Sequence, residues 1–146
     1  MIQITFPDGA VRQYESGTTA LEVAKSISEG LAKKVMAARV NGQVWDATRP
    51  MDADAQLQLL TWQDADGKST FWHSSAHLMA EAVESIFPDV QFWVGPAVDN
   101  GFYYDMAIPE KVSDDDLERI QLEMKRIAKG NHRFLQSTKT REEALA

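Results

Sequence analysis

Two of the three histidines in the chain, His73 and His77, are four residues apart in a stretch whose pattern is typical of a helix. Residues four apart in an α-helix differ by about 40° around the axis and by about 6 Å along it, so both imidazoles would project from the same side. Paired imidazoles suit proton transfer or metal binding. The spacing therefore predicts one site that contains both rings.

The apolar residues around this pair predict the helix that carries it. They recur at the four-then-three spacing of a buried stripe and comprise Trp72, Ala76, Met79, Val83 and Ile86. The histidines lie roughly 100° to 140° around the axis from Trp72, with Glu84 between them in angle. This places them at the border of the apolar face, where a reactive side chain is both held in position and accessible.

Two other interpretations of the pair stay open from the residues alone. In a purely structural one, one histidine packs against Trp72 or Phe87 and the other bonds Glu81. In the second, the two imidazoles share a zinc ion. A third zinc ligand is hard to find nearby, because Glu84 lies about 10.5 Å along the axis from His77, too far for one ion. We therefore predict no metal site in this chain.

Composition limits the classes of protein to which the chain can belong. Its 146 residues fit one ordinary domain or two small ones, and a hydrophobic content of 44% is enough for a globular core. No apolar run approaches the roughly 20 residues of a membrane span, and the first residues lack the features of a signal peptide. The chain contains no cysteine, which excludes disulfides and cysteine nucleophiles within it. We expect a cytoplasmic protein that does not engage a membrane.

The charge distribution argues against a general nucleic-acid binder. The formal net charge is -7, whereas phosphate contacts need clustered lysine and arginine. Basic residues nevertheless gather near the C-terminus, at Lys125, Arg126, Lys129, Arg133, Lys139 and Arg141. We interpret this tract first as a solvated helix end whose charges complement the helix dipole, with nucleic-acid contact as the alternative.

The first part of the chain predicts a small mixed domain. Alternating or β-branched stretches bounded by turn residues predict strands at 2–6, 11–14, 36–40, 43–45 and 57–61. Asn41-Gly42 is a strong hairpin signal, and Thr19 followed by Glu22 has the form of a capping box that opens a helix. A hairpin, a crossing helix and further strands are the order of a ubiquitin-like β-grasp module. We assign residues 1–62 to this module and the polar stretch 63–69 to a linker.

The rest of the chain, residues 70–146, predicts a second α+β unit. Its first helix is expected to begin with Ser69 or Thr70 as cap and to carry the histidines. A buried strand is expected at 90–94, and a tight turn at 99–101 precedes a second strand at 102–105. Ser113 caps another helix that ends at Gly130-Asn131. The apolar stripe of that helix is expected to comprise Leu117, Ile120, Met124 and Ile127.

Two segments resemble a known family, the N-terminal region of threonyl-tRNA synthetases. They are HSSAHLMAEA at 73–82 and VGPAVDNGFYYD at 94–105. Their order behind a β-grasp module is similar to the arrangement in that family, in which a TGS domain precedes an editing domain. The resemblance covers nearly the whole chain and implies that residues 70–146 are the first part of the editing domain, truncated here. The implied fold class is α+β, a ubiquitin-like β-grasp module followed by a partial α+β editing domain.

The resemblance also implies a reaction, the hydrolysis of serine wrongly esterified to threonine tRNA. Serine lacks one methyl group of threonine, so binding alone rejects it by only about 1 to 3 kcal/mol and a second site must remove the error. In this family His73 and His77 would form the His-x-x-x-His motif of that site, while Gly95 and Tyr104 would line the pocket. A lysine and a Cys-x-x-x-His motif farther along complete the site and are missing here. We therefore expect the chain alone to be inactive.

The resemblance further implies partners and cofactors. The acceptor end of threonine tRNA and its serine ester would be the partners, and the parent enzyme would be a homodimer. ATP-dependent charging, with ATP, magnesium and zinc, would belong to a separate catalytic domain that is absent from this chain, so we expect no cofactor here. Phe102, Tyr103 and Tyr104 offer aromatic surface for the terminal adenine of tRNA, although alternating aromatics are more often half-buried strand residues.

Two other classes of protein are alternatives. TGS domains also occur in certain GTPases and in stringent-response enzymes, which makes a non-catalytic binding or regulatory module possible; such a protein would not need residues 70–105. A freestanding hydrolase that edits in trans is the other class, and it would require the Cys-x-x-x-His motif within the same chain.

Overall fold

The computed structural model describes residues 1–135 and 137–146. The chain forms two compact units. The first contains Met1–His77 and Phe92–Met106, and the second contains Leu78–Gln91 and Ala107–Ala146. No helix in the described part of the chain is both long enough and apolar enough to cross a membrane.

The first unit opens with a small mixed α and β fold. In chain order its elements are β1 (Ile2–Thr5), β2 (Val11–Tyr14), β3 (Thr18–Thr19), α1 (Ala20–Ile27), α2 (Glu29–Ala32), β4 (Ala37–Val40), β5 (Gln43–Trp45), β6 (Pro50–Met51) and β7 (Ala55–Leu60). Five strands form one sheet in the order β2-β1-β7-β4-β5, in which β1 and β7 are parallel and the other neighbours antiparallel. Strands β3 and β6 pair separately.

The core of this fold follows from the alternation in its strands. Ile2 and Ile4 of β1 are buried, whereas Gln3 between them is exposed, because successive strand residues face opposite sides of the sheet. The apolar face packs with the first turns of α1 into one hydrophobic cluster. The buried members of this cluster are Ile2, Ile4, Ala20, Val23, Ala38, Val40, Met51, Ala55 and Leu57.

Two predictions from local sequence signals are confirmed, the turn between β4 and β5 and the cap of α1. Strands β4 and β5 meet at Asn41-Gly42, where both residues have positive φ, 49° and 83°, as a two-residue hairpin turn requires. Thr19 caps α1 in a reciprocal capping box. Its hydroxyl accepts a bond from the Glu22 backbone N–H at 3.2 Å, and its own N–H donates to the Glu22 carboxylate at 2.8 Å.

The first helix of the second predicted unit begins earlier than expected. Helix α3 (Ala65–Ile86) has 22 residues, so the prediction of a cap at Ser69 or Thr70 is wrong, and most of the predicted linker 63–69 is helical. The helix includes Gly67, a residue type that sequence patterns treat as a breaker. A Cβ atom there would lie 2.0 Å from the backbone oxygen of Thr61, so only glycine lets the helix approach the end of β7 so closely. The domain limits 1–62 and 70–146 stay a prediction.

Short strands follow α3. These are β8 (Gln91–Phe92), β9 (Ala97–Val98), β10 (Gly101–Phe102) and β11 (Met106–Ala107), with β9 paired to β10 and β8 paired to β11. The predicted turn at 99–101 is confirmed by the pairing of β9 with β10. The prediction of a buried strand at 90–94 is wrong, because Trp93 is 82% exposed and Val94 is 50% exposed. A ribbon of two short strands leaves one side of each strand uncovered.

The second unit contains the end of α3 and two further helices, α4 (Asp114–Lys129) and α5 (Arg141–Leu145). Ser113 caps α4 in a capping box with Asp116, and Gly130 is its C-cap, both as predicted. Ile120 and Ile127 are buried and Met124 is half-buried. Leu117 does not join this stripe, because it lies in the first turn of α4 and is 56% exposed.

The capping box of α1 predicts a dependence of stability on pH. Hydrogen bonds from the backbone N–H and hydroxyl of Thr19 lower the pKa of Glu22 below its ordinary value of 4.5. A lowered pKa in the folded state stabilises the protein above 4.5, and this stabilisation is lost as the pH falls through the lowered pKa. We expect Glu22→Gln to reduce the free energy of unfolding by about 0.3 to 1 kcal/mol at pH 7. Urea denaturation at several pH values should show this difference shrinking in acid.

Thr19→Ala provides the control for this prediction, because it removes the hydroxyl partner of Glu22 and keeps the backbone N–H. In that background Glu22→Gln should cost less than it does in the parent chain, with the remaining difference again shrinking in acid. A difference between Glu22→Gln and the parent chain that is constant from neutral pH into acid would contradict the explanation.

The approach of α3 to Thr61 predicts that Gly67→Ala destabilises the fold. We expect a loss of about 1 to 3 kcal/mol in the free energy of unfolding, measured by urea denaturation, because the new methyl group meets backbone that cannot rotate away. Gly30→Ala in α2 is the matched control. A Cβ at Gly30 would meet only the Ser28 hydroxyl at 4.0 Å, so this substitution should gain about 0.5 to 1 kcal/mol. Equal effects of the two substitutions would contradict the packing explanation.

Candidate functional site

Helix α3 brings the two histidines into direct contact. Nε2 of His73 and Nε2 of His77 are 3.0 Å apart, and the ring centroids are 4.6 Å apart with the planes at 80°. Both residues are exposed. The expectation that the rings share one side of a helix is confirmed.

The short contact between these nitrogens restricts how protons are arranged on the pair. Two ring nitrogens form a hydrogen bond only when one carries a proton and the other presents its lone pair. The accepting ring must therefore be neutral, with its proton on Nδ1, while the donating ring is either neutral or an imidazolium. Protonation of both Nε2 atoms removes the bond. The pair can thus hold one proton between two rings and pass it from one nitrogen to the other.

The surroundings of the histidine pair agree with the predicted arrangement of side chains around the helix axis. Ala76 and Val83, which lie about 60° to 120° around the axis from the histidines, are buried, and the three other members of the predicted stripe are half-buried. The hydrogen bond of His77 goes to His73. Among the described residues it has no bond to Glu81, so the structural interpretation of the pair is not the arrangement observed.

The described residues contain no group of three or more histidine, cysteine, aspartate or glutamate side chains placed to hold a metal ion. The two imidazoles are therefore without a third protein ligand in this part of the structure. That the chain needs no metal or other cofactor stays a prediction.

The predicted pocket residues Gly95 and Tyr104 also come together. A Cβ atom at Gly95 would lie 2.4 Å from Cδ2 and 2.6 Å from Cε2 of Tyr104, so the tyrosine ring rests directly on the glycine backbone. Phe92 also contacts this ring edge to face, with its ring centroid 5.4 Å from that of Tyr104. The backbone between them is paired, since Asp105 N–H donates to the Val94 carbonyl at 2.8 Å. Their role in a pocket stays a prediction.

Relatives of known name match this chain along its length. It is 49% identical to the threonine–tRNA ligase of Cytophaga hutchinsonii over 100% of this chain and 23% of that protein. It is 54% identical to the threonine–tRNA ligase of Parabacteroides distasonis over 85% of this chain and 19% of that protein. The threonine–tRNA ligase of Desulforamulus reducens is 48% identical over 99% of this chain and 23% of its own length. The matched parts are N-terminal regions.

The chain is similar along its length to the N-terminal region of threonine–tRNA ligases. Residues 2–61 match the family model described as TGS domain. This match covers β1 to β7, so the ubiquitin-like β-grasp and the α+β class are confirmed. The chain spans about a quarter or less of the length of the relatives to which it is similar.

Sequence reasoning missed an aromatic cluster beside the histidines. The rings of Trp62, Phe71 and Trp72 meet edge to face, with centroids 5.2 to 5.8 Å apart. Trp72 also lies 6.4 Å from Phe102, in tilted geometry. Trp72 therefore joins the hairpin β9–β10 to the turn of α3 that carries His73. The density of aromatics at 62–72 was the available signal, but a cluster depends on contacts that spacing does not give.

The aromatics of the hairpin differ in exposure. Phe102 and Tyr104 are half-buried, as alternating strand residues are expected to be, whereas Tyr103 is 53% exposed. Only Tyr103 therefore offers a largely free ring face. Stacking on the terminal adenine of tRNA stays a prediction.

The basic tract is partly engaged in a helix end. Arg126 donates to the Glu123 carboxylate at 2.6 and 2.9 Å, and this contact raises the pKa of Arg126 and lowers that of Glu123. Lys129 lies in the last turn of α4, where its charge complements the dipole. The interpretation of these residues as a solvated helix end agrees with this geometry.

The contact between Gly95 and Tyr104 predicts a strong coupling between the two positions. We expect Gly95→Ala to lower the free energy of unfolding by about 1 to 3 kcal/mol, because the methyl group displaces the ring. In a Tyr104→Ala background the same substitution should cost less than half as much, since the obstructing ring is gone. A double-mutant cycle by urea denaturation measures the difference, and additive costs would contradict the contact.

Proposed function

We propose that this chain is the N-terminal part of a threonine–tRNA ligase and that it contributes to hydrolytic proofreading of serine mischarged on threonine tRNA. The observation that carries the proposal is the 3.0 Å contact between Nε2 of His73 and Nε2 of His77, on an exposed helix face of a chain similar to such ligases. A charging enzyme needs this second reaction, because one methyl group gives only about 1 to 3 kcal/mol of discrimination.

The paired imidazoles fit the proton transfers of ester hydrolysis. A water molecule must lose a proton as it attacks the carbonyl carbon, and the ribose oxygen must gain one as it leaves. The accepting ring, once its bond to the other ring opens, has a lone pair for the first proton, and the donating ring supplies the second when it is an imidazolium, which leaves it neutral. Because the two nitrogens are already within hydrogen-bond distance, transfer between them resets the pair after each turnover.

The site in this chain is incomplete by itself. The chain holds no cysteine, so it cannot supply the Cys-x-x-x-His motif that the family places farther along. We infer that the remaining side chains of the editing site, together with ATP-dependent charging and its ATP, magnesium and zinc, belong to the rest of the ligase. A cytoplasmic homodimer and participation in protein biosynthesis are parts of the same proposal.

Contact with tRNA is the second part of the proposal. The TGS domain at residues 2–61 supports it, and the aromatic surface near Tyr103 is available for a base. With a net charge of -7, the chain would bind tRNA through local contacts and not through a general electrostatic attraction. The competing function is a binding module without chemistry. The TGS domain would be enough for such a module, and the histidine pair would have no role in it.

Removal of either imidazole should abolish most of the proofreading reaction. In the full-length ligase, His73→Ala and His77→Ala should each slow the hydrolysis of serine-charged threonine tRNA by about 100-fold or more, since positioned acid–base groups contribute about 10² to 10⁴ in rate. Charging with threonine should be unchanged, because its chemistry belongs to another domain. The measurement is release of labelled serine and threonine from tRNA.

His132→Ala is the matched control, since it removes the third histidine, which lies in the second unit away from the pair in sequence. It should release serine at the rate of the parent ligase. Unchanged hydrolysis in His73→Ala and His77→Ala would contradict the catalytic role and favour a binding module, for which tRNA affinity would then be the property to measure.

A further inference from the structure

The first turn of α3 is attached directly to the β-grasp sheet. The position of a Cβ at Gly67 would be 2.0 Å from the Thr61 backbone oxygen and 2.8 Å from its carbonyl carbon, so helix and chain touch backbone to backbone. Thr61 follows β7 without a break, and its N–H donates to the Asp64 carboxylate at 2.8 Å. No flexible connection therefore separates the sheet from the helix.

Arg39 adds a polar connection between the same two elements. It lies on β4, where its Nη1 donates to Oε1 of Gln58 on β7 at 2.7 Å. Its Nη2 forms an ion pair with the carboxylate of Asp66, in the first turn of α3. One guanidinium thus holds a sheet residue and a helix residue in fixed relation, which its planar fork allows and a lysine ammonium does not.

The distance from this attachment to the histidines makes the direction of the helix important. At 1.5 Å per residue, His73 is about 10.5 Å and His77 about 16.5 Å from Asp66 along the axis. A tilt of about 10° at the first turn would therefore move the His77 ring by about 3 Å. Productive catalytic geometry tolerates displacements of only about 0.5 Å.

We propose that Arg39 is a positioning residue for His73 and His77. By joining Gln58 and Asp66 it fixes the direction in which α3 leaves the TGS domain, and so sets where the histidine pair meets the substrate. This inference rests on the proposed function of the pair. The TGS domain then acts as the platform of the editing site as well as a tRNA contact.

The exposure of the ion pair separates positioning from simple stability. The side chains of Arg39 and Asp66 are 36% and 44% exposed, so their attraction is weakened by solvent and adds little to the stability of the fold. Packing of the sheet and of the aromatic rings at Trp62, Phe71 and Trp72 remains without it. Loss of Arg39 should therefore leave a folded chain whose histidine helix is less well directed.

The first experiment uses nuclear magnetic resonance on the 146-residue chain, because it does not depend on enzymatic activity. Arg39→Ala should shift the imidazole resonances of His73 and His77, while those of His132 remain in place as an internal control. The melting temperature should fall by less than about 4 °C. Arg39→Lys should give intermediate shifts, since it keeps the charge and loses the second hydrogen bond.

The second experiment measures hydrolysis of serine-charged threonine tRNA by the full-length ligase. Arg39→Ala should lower kcat about tenfold or more with little change in KM, because a displaced pair binds no less substrate but reacts more slowly. Arg39→Lys should recover part of the rate. Arg12→Ala is the matched control. Arg12 lies on β2 of the same sheet, with its guanidinium 5.7 Å from the Phe6 ring centroid, and it should behave as the parent ligase does.

The two experiments separate the inference from the function on which it rests. If His73→Ala leaves hydrolysis unchanged, the proposed function fails, and the resonance shifts alone decide whether Arg39 directs the helix. If Arg39→Ala leaves the imidazole resonances and kcat at their parent values, the positioning role is overturned. The same conclusion follows if Arg12→Ala reproduces the effects of Arg39→Ala.

Discussion

The close approach of α3 to the Thr61 backbone is the constraint on which the arrangement of this chain depends. Only a residue without Cβ fits at Gly67, where the added atom would be 2.0 Å from the Thr61 oxygen. The helix begins at Ala65, and its first turns belong to the same compact unit as the β-grasp. The histidines are thus attached to the TGS fold by one continuous helix, so the direction of its first turn determines their position.

Most of the β-grasp could be predicted because its signals are local. The positive φ angles that Asn41-Gly42 adopts are a property of those two residue types, and the capping box at Thr19 uses atoms three residues apart. The start of α3 was predicted wrongly for the opposite reason, because it involves the non-local contact of Gly67. In sequence a glycine in a polar stretch marks a break in regular structure, but here its lack of a side chain serves a contact with a strand that ends several residues earlier.

The candidate site also contains both kinds of feature, one that local sequence determines and others that depend on distant contacts. The contact of His73 with His77 was predictable, since one helical turn determines it. That the Tyr104 ring lies on Gly95 could not be derived from spacing, because the two residues meet only after the intervening turn folds back. The exposure of Trp93 and of Leu117 was missed because an apolar pattern shows which face could be buried and not whether anything covers it.

A site assembled from distant parts of a chain needs some of its groups fixed before the others arrive. The internal geometry of the histidine pair meets this need, since a single helical turn holds the two rings whatever the later residues of the chain do. The position of the pair relative to a substrate is different, because it depends on the direction of a helix of 22 residues. In this chain that direction is set in the first turn of the helix, by Gly67 and by the Arg39 ion pair with Asp66. The β-grasp therefore determines where the pair lies, although both histidines belong to the helix.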